Sequence, residues 1–470
     1  MRFISTRDIT VDADGASAVA GLPTAGVYVP KEIPELKFAE LIPLDYSARC
    51  ERVLKAFFGF DLGGVTEAYE AFEDVAPTVK LDDNVFVSEL WHGKAHTFED
   101  MALSALPGLI DRAKKNNGDT KKTVCFAALS GDGAVSAIEG FKDGGIECAA
   151  FYPQSVPVLQ RTLLAKSENA IAVAASPYDA KNAVASAVYD KGLTEALAEN
   201  NISLCPTDEA NFAVVALQIA YYYSAYCDLV DADEIKPGEG VDFVLPVGFG
   251  NVVAGYYAKR MGLPINKLVC ASSGSLADFI ESGTFDVNGD NAQSAALAIS
   301  PVDIERLVFE ISGRNCSMTA ERMKELALYG RFSVGEDESD LIKDLFAGEN
   351  IDDGEVRDAI ADGDDEYGYI MDPHTAAAYA LAARREFVHP TVIFSVANPF
   401  LYADTVLRAL GERAEAGEKT LKKLEEISAI DAPKELIEAY SGALKQKQQR
   451  IIAQNEIISY LVNRYGNGTK

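Results

Sequence analysis

From Thr123 onward, short apolar runs alternate with helix-patterned segments, and this alternation constrains the fold more than any other feature of the chain. TVCFAAL (123–129) reads as a buried strand, followed by SGDG and a helix from about Ala134 to Lys142. ECAAFYP (147–153) is the next strand, with a helix from about Val156 to Lys166. NAIAVAA (169–175) is a third strand, with a helix from about Tyr178 to Tyr189. Strand-length apolar runs between amphipathic segments imply parallel strands covered on both faces.

A second series repeats the pattern. VDFVLPV (241–247) reads as a strand, GFGN as a tight turn, and VVAGYYAKRMG (252–262) as a helix closed by Gly262 and Pro264. KLVCAS (267–272) follows as another strand. Between the two series lies a helix spanning roughly Glu209 to Leu229. Its ALQIAYYYSAY stretch is too densely aromatic for one face, so it is expected to be buried on most sides. The architecture expected is α/β, with two doubly wound parallel-sheet units and a cleft between them. N-terminal and C-terminal helical extensions complete it. The expected boundaries are an N-terminal segment 1–95, a smaller α/β domain 96–230, a larger one 231–415 and a C-terminal helical segment 416–470. KQKQQR at 445–450 reads as a solvated helix face.

Composition narrows the class of function. With 43 basic and 72 acidic residues the net charge is −29, which leaves no basic footprint for nucleic acid or an anionic membrane. Much of the acid sits in 335–368, read as solvated surface. No uninterrupted apolar run is long enough for a membrane span, and MRFISTRD lacks a signal-peptide pattern, so a cytoplasmic protein is expected. The seven cysteines are scattered singly in mostly apolar runs and read as small buried hydrophobes.

Collinear stretches then carry a resemblance. They are MRFISTRD, GVYVPKEIPEL (26–36), APTVKLDDNVFVSELWHGKAHTFEDMAL (76–103), SGDGAVSAIEGF (130–141), FYPQSVPVLQ (151–160) and QIAYYYSAY (218–226). GFGNVVAGYYAKRMGLP (248–264), DPHTAAA (372–378) and SVANP (395–399) complete the series. Across essentially its whole length the chain resembles threonine synthases, pyridoxal-phosphate enzymes of fold type II that convert O-phosphohomoserine to threonine.

The resemblance makes the departures informative. Where the family reads roughly HGPT-x-AFKD, this chain reads HGKAHTFED, so Glu99 stands at the lysine that would hold the cofactor as a Schiff base. Where the family reads TSGDTGKAA, Ser130 and Asp132 are kept but Val135 replaces a substrate-phosphate lysine. In the segment like SSANSINWGR, Asp208, Glu209 and Val214 replace Asn, Ser and Arg of the phosphate site. The turn for the cofactor phosphate, TGNFGN in relatives, is one residue shorter and keeps Gly248, Gly250 and Asn251. Val396 replaces the hydroxyl that would meet the pyridine nitrogen.

These changes imply that no catalytic residue and no cofactor remain, and that the scaffold serves binding or regulation. A negative pocket favours a small amino compound over a phosphate ester. Two alternatives stay open. One is an active threonine synthase-like lyase using another lysine, with Lys94 as the outside candidate, or a non-covalent cofactor. The other is a scaffold or partner of an active enzyme. His92, His96 and Glu99 offer metal-binding side chains, but their spacing matches no metal signature. His374 and His389 read as structural turn residues.

Overall fold

The computed structural model describes residues 1–142, 144–246, 249–271, 275–287, 301–415, 417–441 and 449–466. Two largely parallel sheets organise them. The smaller has the order Arg450–Ile452, Ala170–Val173, Glu147–Pro153, Lys122–Ala128 and Ile202–Pro206, every neighbouring pair parallel. The larger runs Phe346–Glu349, Ile265–Ala271, Val241–Leu245, Thr391–Ser395, Val85–Glu89 and Thr78–Asp82. Its first five strands are parallel and the last is antiparallel. The central strands are buried along nearly their full length, which is why they read as continuous apolar runs rather than alternating ones.

Segment boundaries reflect capping chemistry. The helix expected from Ala134 starts three residues earlier, at Gly131, because Ser130 Oγ accepts from Gly133 N at 3.1 Å. The others run Val158–Leu164 and Pro177–Val188, the latter capped by Ser176. The interior helix is Phe212–Asp231, capped by Asn211. All its residues except Asp228 and Asp231 are buried. Its four tyrosines solve the problem that burial sets for a hydroxyl. Tyr221, Tyr222, Tyr223 and Tyr226 donate to the backbone carbonyls of Phe98, Asn251, Leu36 and Glu239, at 2.6–3.3 Å.

Three expectations change. The N-terminal extension is not simply helical: Arg2–Ser5 pairs antiparallel with Ala13–Asp14 and Tyr28–Pro30. Strands Thr78–Asp82 and Val85–Glu89 join the larger sheet. The C-terminal segment also departs from a helical reading. Helices Glu418–Ser428 and Lys434–Tyr440 are followed by strand Arg450–Ile452, which adds to the edge of the smaller sheet. Within KQKQQR, residues 445–448 lie outside the described residues. Gln449 is no solvated helix residue, since its Nε2 donates to Tyr152 Oη at 2.6 Å. Finally, Phe249 to Asn251 open helix Phe249–Arg260 instead of forming a turn, and Val247 and Gly248 lie outside the described residues. Among the described residues no helix is long and apolar enough to cross a membrane. All seven cysteines are free, and six are buried.

Candidate functional site

A cavity of about 360 Å³ opens where strands from both sheets end. Ala128 and Pro153 come from the carboxyl ends of two strands of the smaller sheet. Val396 and Ala397 directly follow Thr391–Ser395 of the larger sheet. Strand carboxyl ends facing a crevice are where α/β sheets bind ligands, because helix starts and loops converge there.

Glu99 enters this cavity because its loop is tied to the larger sheet. Phe98 N donates to Val396 O at 2.8 Å, Asn398 N donates to His96 O at 3.0 Å, and Thr97 bridges Ala397. The loop is locked from behind by Asp100, 1% exposed, whose Oδ2 accepts from Ala95 N at 2.7 Å. Gly93 is required here, since a Cβ would sit 2.4 Å from the Asp100 Cβ. Glu99 then begins the short helix Glu99–Leu103 and faces Ser130, whose Oγ donates to Glu99 Oε1 at 3.4 Å. Its Oε2 is buried with no hydrogen-bond partner among the described residues. Burial, followed by the neighbouring Asp132 charge, pushes the Glu99 carboxyl up to about 8.

Asp132 is treated differently. Tyr402 donates its hydroxyl to Oδ2 at 2.6 Å, and Gln160 donates Nε2 to Oδ1. The Tyr402 oxygen lies 3.2 Å from His374 Nε2. Since the single Tyr402 hydrogen points to Asp132, His374 must carry its proton on Nε2 and donate to Tyr402. A Cβ at Gly131 would lie 1.8 Å from Gln160 Oε1, so glycine is what lets Gln160 reach Asp132. Burial raises the Asp132 carboxyl, and the Tyr402 hydrogen bond counters it. Behind this relay, Asp372 caps helix Pro373–Arg384 through His374 N at 2.9 Å. The pair is asymmetric: the fully bonded Asp132 is the better home for negative charge, and the under-bonded Glu99 is the better home for a proton.

Of the residues singled out from sequence, Glu99, Ser130, Asp132 and Val396 converge on the cavity. Val135, Val214, Asp208, Glu209, Asn251, Lys94, His92 and His96 are not among its described lining residues, and Gly248 lies outside the described residues. Val135 and Val214 are 7% and 4% exposed in the apolar core. Asp208 and Glu209 sit on the loop before the interior helix, where burial and then the Glu209 charge push Asp208 up to about 6. The loop is held by Arg306, fully buried, which donates to the carbonyls of Glu209 and Ala210. Asn251 is 2% exposed, and neither of its side-chain polar atoms has a partner among the described residues. Lys94 is exposed on the preceding loop.

The three metal candidates have separate partners. His92 Nε2 lies 2.8 Å from Glu89 Oε2, and its ring stacks on Trp91 at 4.2 Å. His96, at φ +63°, lies 3.7 Å from Glu435, whose carboxyl it holds down at about 2. Among the described residues no three His, Cys, Asp or Glu side chains are placed to hold a metal ion.

Sequence reasoning missed Gln160, Lys181 and Tyr402, and it set His374 aside as structural. All four line the cavity. Two of them stood in stretches that carried the resemblance, His374 in DPHTAAA and Gln160 at the end of FYPQSVPVLQ.

Comparison with known proteins fits this geometry. A threonine synthase from Pseudomonas aeruginosa is 29% identical over 436 aligned positions, covering 87% of this chain and 90% of that protein. Mouse threonine synthase-like 1 is 30% identical over 491 positions, covering 95% of this chain but 65% of that longer protein. The crystal structure of pyridoxal-phosphate-bound threonine synthase from Brucella melitensis superposes with a TM-score of 0.81 at 27% identity, over the full length of both chains. The chain belongs to the threonine synthase family. No family model matches it. The fold-type-II arrangement of two α/β units is therefore the family scaffold, and the cavity lies where that scaffold brings its strand ends together.

Proposed function

We propose that this chain is a threonine synthase-like protein that no longer converts O-phosphohomoserine to threonine and keeps the scaffold to bind a ligand. The observation that carries this reading is Glu99, a carboxyl with an unpartnered, buried Oε2 in the cavity, at the position that the sequence resemblance gives to the cofactor lysine. An imine to pyridoxal phosphate needs a primary amine, and a carboxyl supplies neither the bond nor the amine's proton transfers. The residues lining the cavity do not fit that cofactor. Val396 offers a methyl where a hydroxyl would meet the pyridine nitrogen, and Glu99 adds an acid where a phosphorylated ligand brings negative charge. Val135 and Val214, buried in the core, leave a substrate phosphate without the two cations that the family resemblance assigns there. Each missing charge-assisted contact costs roughly 1.5–3 kcal/mol of binding.

The measurement is a titration of the full chain with pyridoxal phosphate, followed by borohydride reduction and peptide mass spectrometry. The expected result is no stoichiometric Schiff-base absorbance and no pyridoxyl-lysine peptide.

A second reading, an active lyase using another lysine, has one structural support: Lys181 lines the cavity. A pyridoxyl adduct confined to Lys181, formed at one per chain, would replace the first reading with this one. An adduct on Lys94 would do the same for the lysine singled out from sequence.

A further inference from the structure

We propose that the cavity binds a small primary-ammonium compound, with its –NH₃⁺ seated on Glu99 beside Ser130 and its carbon chain against Phe98, Val156, Pro157 and Val396. The proposal deepens the binding reading above and rests on it. Its geometric basis is the mismatch within the acidic pair. Asp132 accepts on both oxygens, from Gln160 and Tyr402, whereas Glu99 Oε2 is buried and unpaired among the described residues. A buried carboxyl oxygen without a donor carries a desolvation cost that a ligand N–H removes. A primary ammonium supplies three donors, enough for Glu99 Oε2, the second Glu99 oxygen and the Ser130 hydroxyl. The apolar residues Phe98, Val156, Pro157 and Val396 in the lining suit an alkyl chain.

Charge selects the same class. The groups facing Glu99 are Asp132 from helix Gly131–Gly140, Asp100 from its own helix, and Tyr221 and Tyr402, whose hydroxyls its charge would disfavour ionising. The basic side chains of the lining are His374, hydrogen-bonded to Tyr402, and Lys181, whose charge also reaches Asp208. An incoming ammonium therefore meets two carboxyl groups, Glu99 and Asp132, on one side of the cavity.

It also changes the protonation of the site. In the free protein the Glu99 carboxyl holds its proton up to about 8. On binding, the O–H bond breaks, the carboxylate pairs with R–NH₃⁺, and one proton leaves to solvent. Binding is thus coupled to the release of one proton below that pH and to none well above it.

The test is isothermal calorimetry on the full chain with n-butylammonium chloride, with n-butanol as the neutral isostere. Titrations run from pH 6 to 9 in two buffers of contrasting ionisation heat. The expected result is amine binding that tightens by up to about tenfold per pH unit between pH 6 and 8, then levels off. At pH 7 the buffer-dependent heat should report close to one proton released. Glu99→Gln should weaken the amine at least tenfold and abolish the buffer dependence. Butanol binding as tightly as the amine, amine binding without proton release, or no amine binding at all would each overturn the proposal. The pH, buffer and butanol comparisons use the wild-type chain and stand even if the variant does not fold. A pyridoxyl adduct in the preceding experiment defeats the reading beneath this one. Its absence together with silent calorimetry defeats only the ammonium assignment.

Discussion

Glu147 and Glu99 meet opposite ends of the same sheet and opposite treatment. Glu147 opens its strand among donors: Tyr465 Oη at 2.9 Å, Arg464 Nη2 at 3.0 Å and Lys122 Nζ at 3.2 Å. Burial pushes its carboxyl up, but these three groups outweigh burial and hold it below the usual range. Glu99, at the carboxyl ends of the strands, has a long hydrogen bond from Ser130, a carboxylate for a neighbour, and a pKa that burial raises despite hydrogen bonding from Thr97 and the backbone. The contrast teaches that an acid with full partners, as Glu147 has, is held charged, whereas one left under-bonded where the strands end in a cavity is held protonated. Strongly perturbed groups in a cleft are the physical mark of a functional site.

The sharpest way to break that contrast is Glu99→Gln. A carboxyl near 4.3 in the unfolded chain and about 8 in the fold keeps a proton that unfolding releases. Native stability therefore falls as pH rises between those values. The amide removes this penalty. Urea unfolding should show the variant more stable than wild type by on the order of 3 kcal/mol at pH 8, with the difference closing towards pH 4. A difference that does not grow with pH would mean that Glu99 is no more exceptional than Glu147.

Tyr402→Phe probes the satisfied half of the cavity. It deprives Asp132 of a donor and His374 of an acceptor, so a loss of about 1–2 kcal/mol is expected in the same assay. A neutral result would remove the distinction between Asp132 and Glu99.

The smallest effect belongs to the paired end. Glu147→Gln should cost about 0.5–1 kcal/mol at pH 7, less in high salt. Its depressed pKa means that the contribution is present above the unfolded value and disappears as pH falls through the folded one.

Much of the fold was legible because buried parallel strands write themselves as continuous apolar runs. Lys122–Ala128, Glu147–Pro153 and Val241–Leu245 fall where those runs do. Arg450–Ile452 escaped notice because three residues carry no period, and their pairing with Ala170–Val173 is wholly non-local. The site was half legible. Glu99, Ser130, Asp132 and Val396 stand in motifs, and the fold gathers them into one cavity. Tyr402, Gln160 and Lys181 arrive from three unrelated helical or turn segments, and nothing in a local pattern marks a residue whose importance is its distance to Asp132. Val135 and Val214 were read as losses at a phosphate site. The structure adds that they are core residues, whose burial gives them a packing role of their own.

Strand Arg450–Ile452 bears on how the chain comes off the ribosome. The whole stretch 174–449 is synthesised between its partner strand, Ala170–Val173, and its own appearance. Through that interval the smaller sheet presents an open parallel edge, the kind of template that recruits stray strands from other chains. A nascent-chain holdase acting while residues 174–449 are made would meet this edge first. Premature stops before residue 450 should leave a chain that aggregates rather than one that merely lacks a tail.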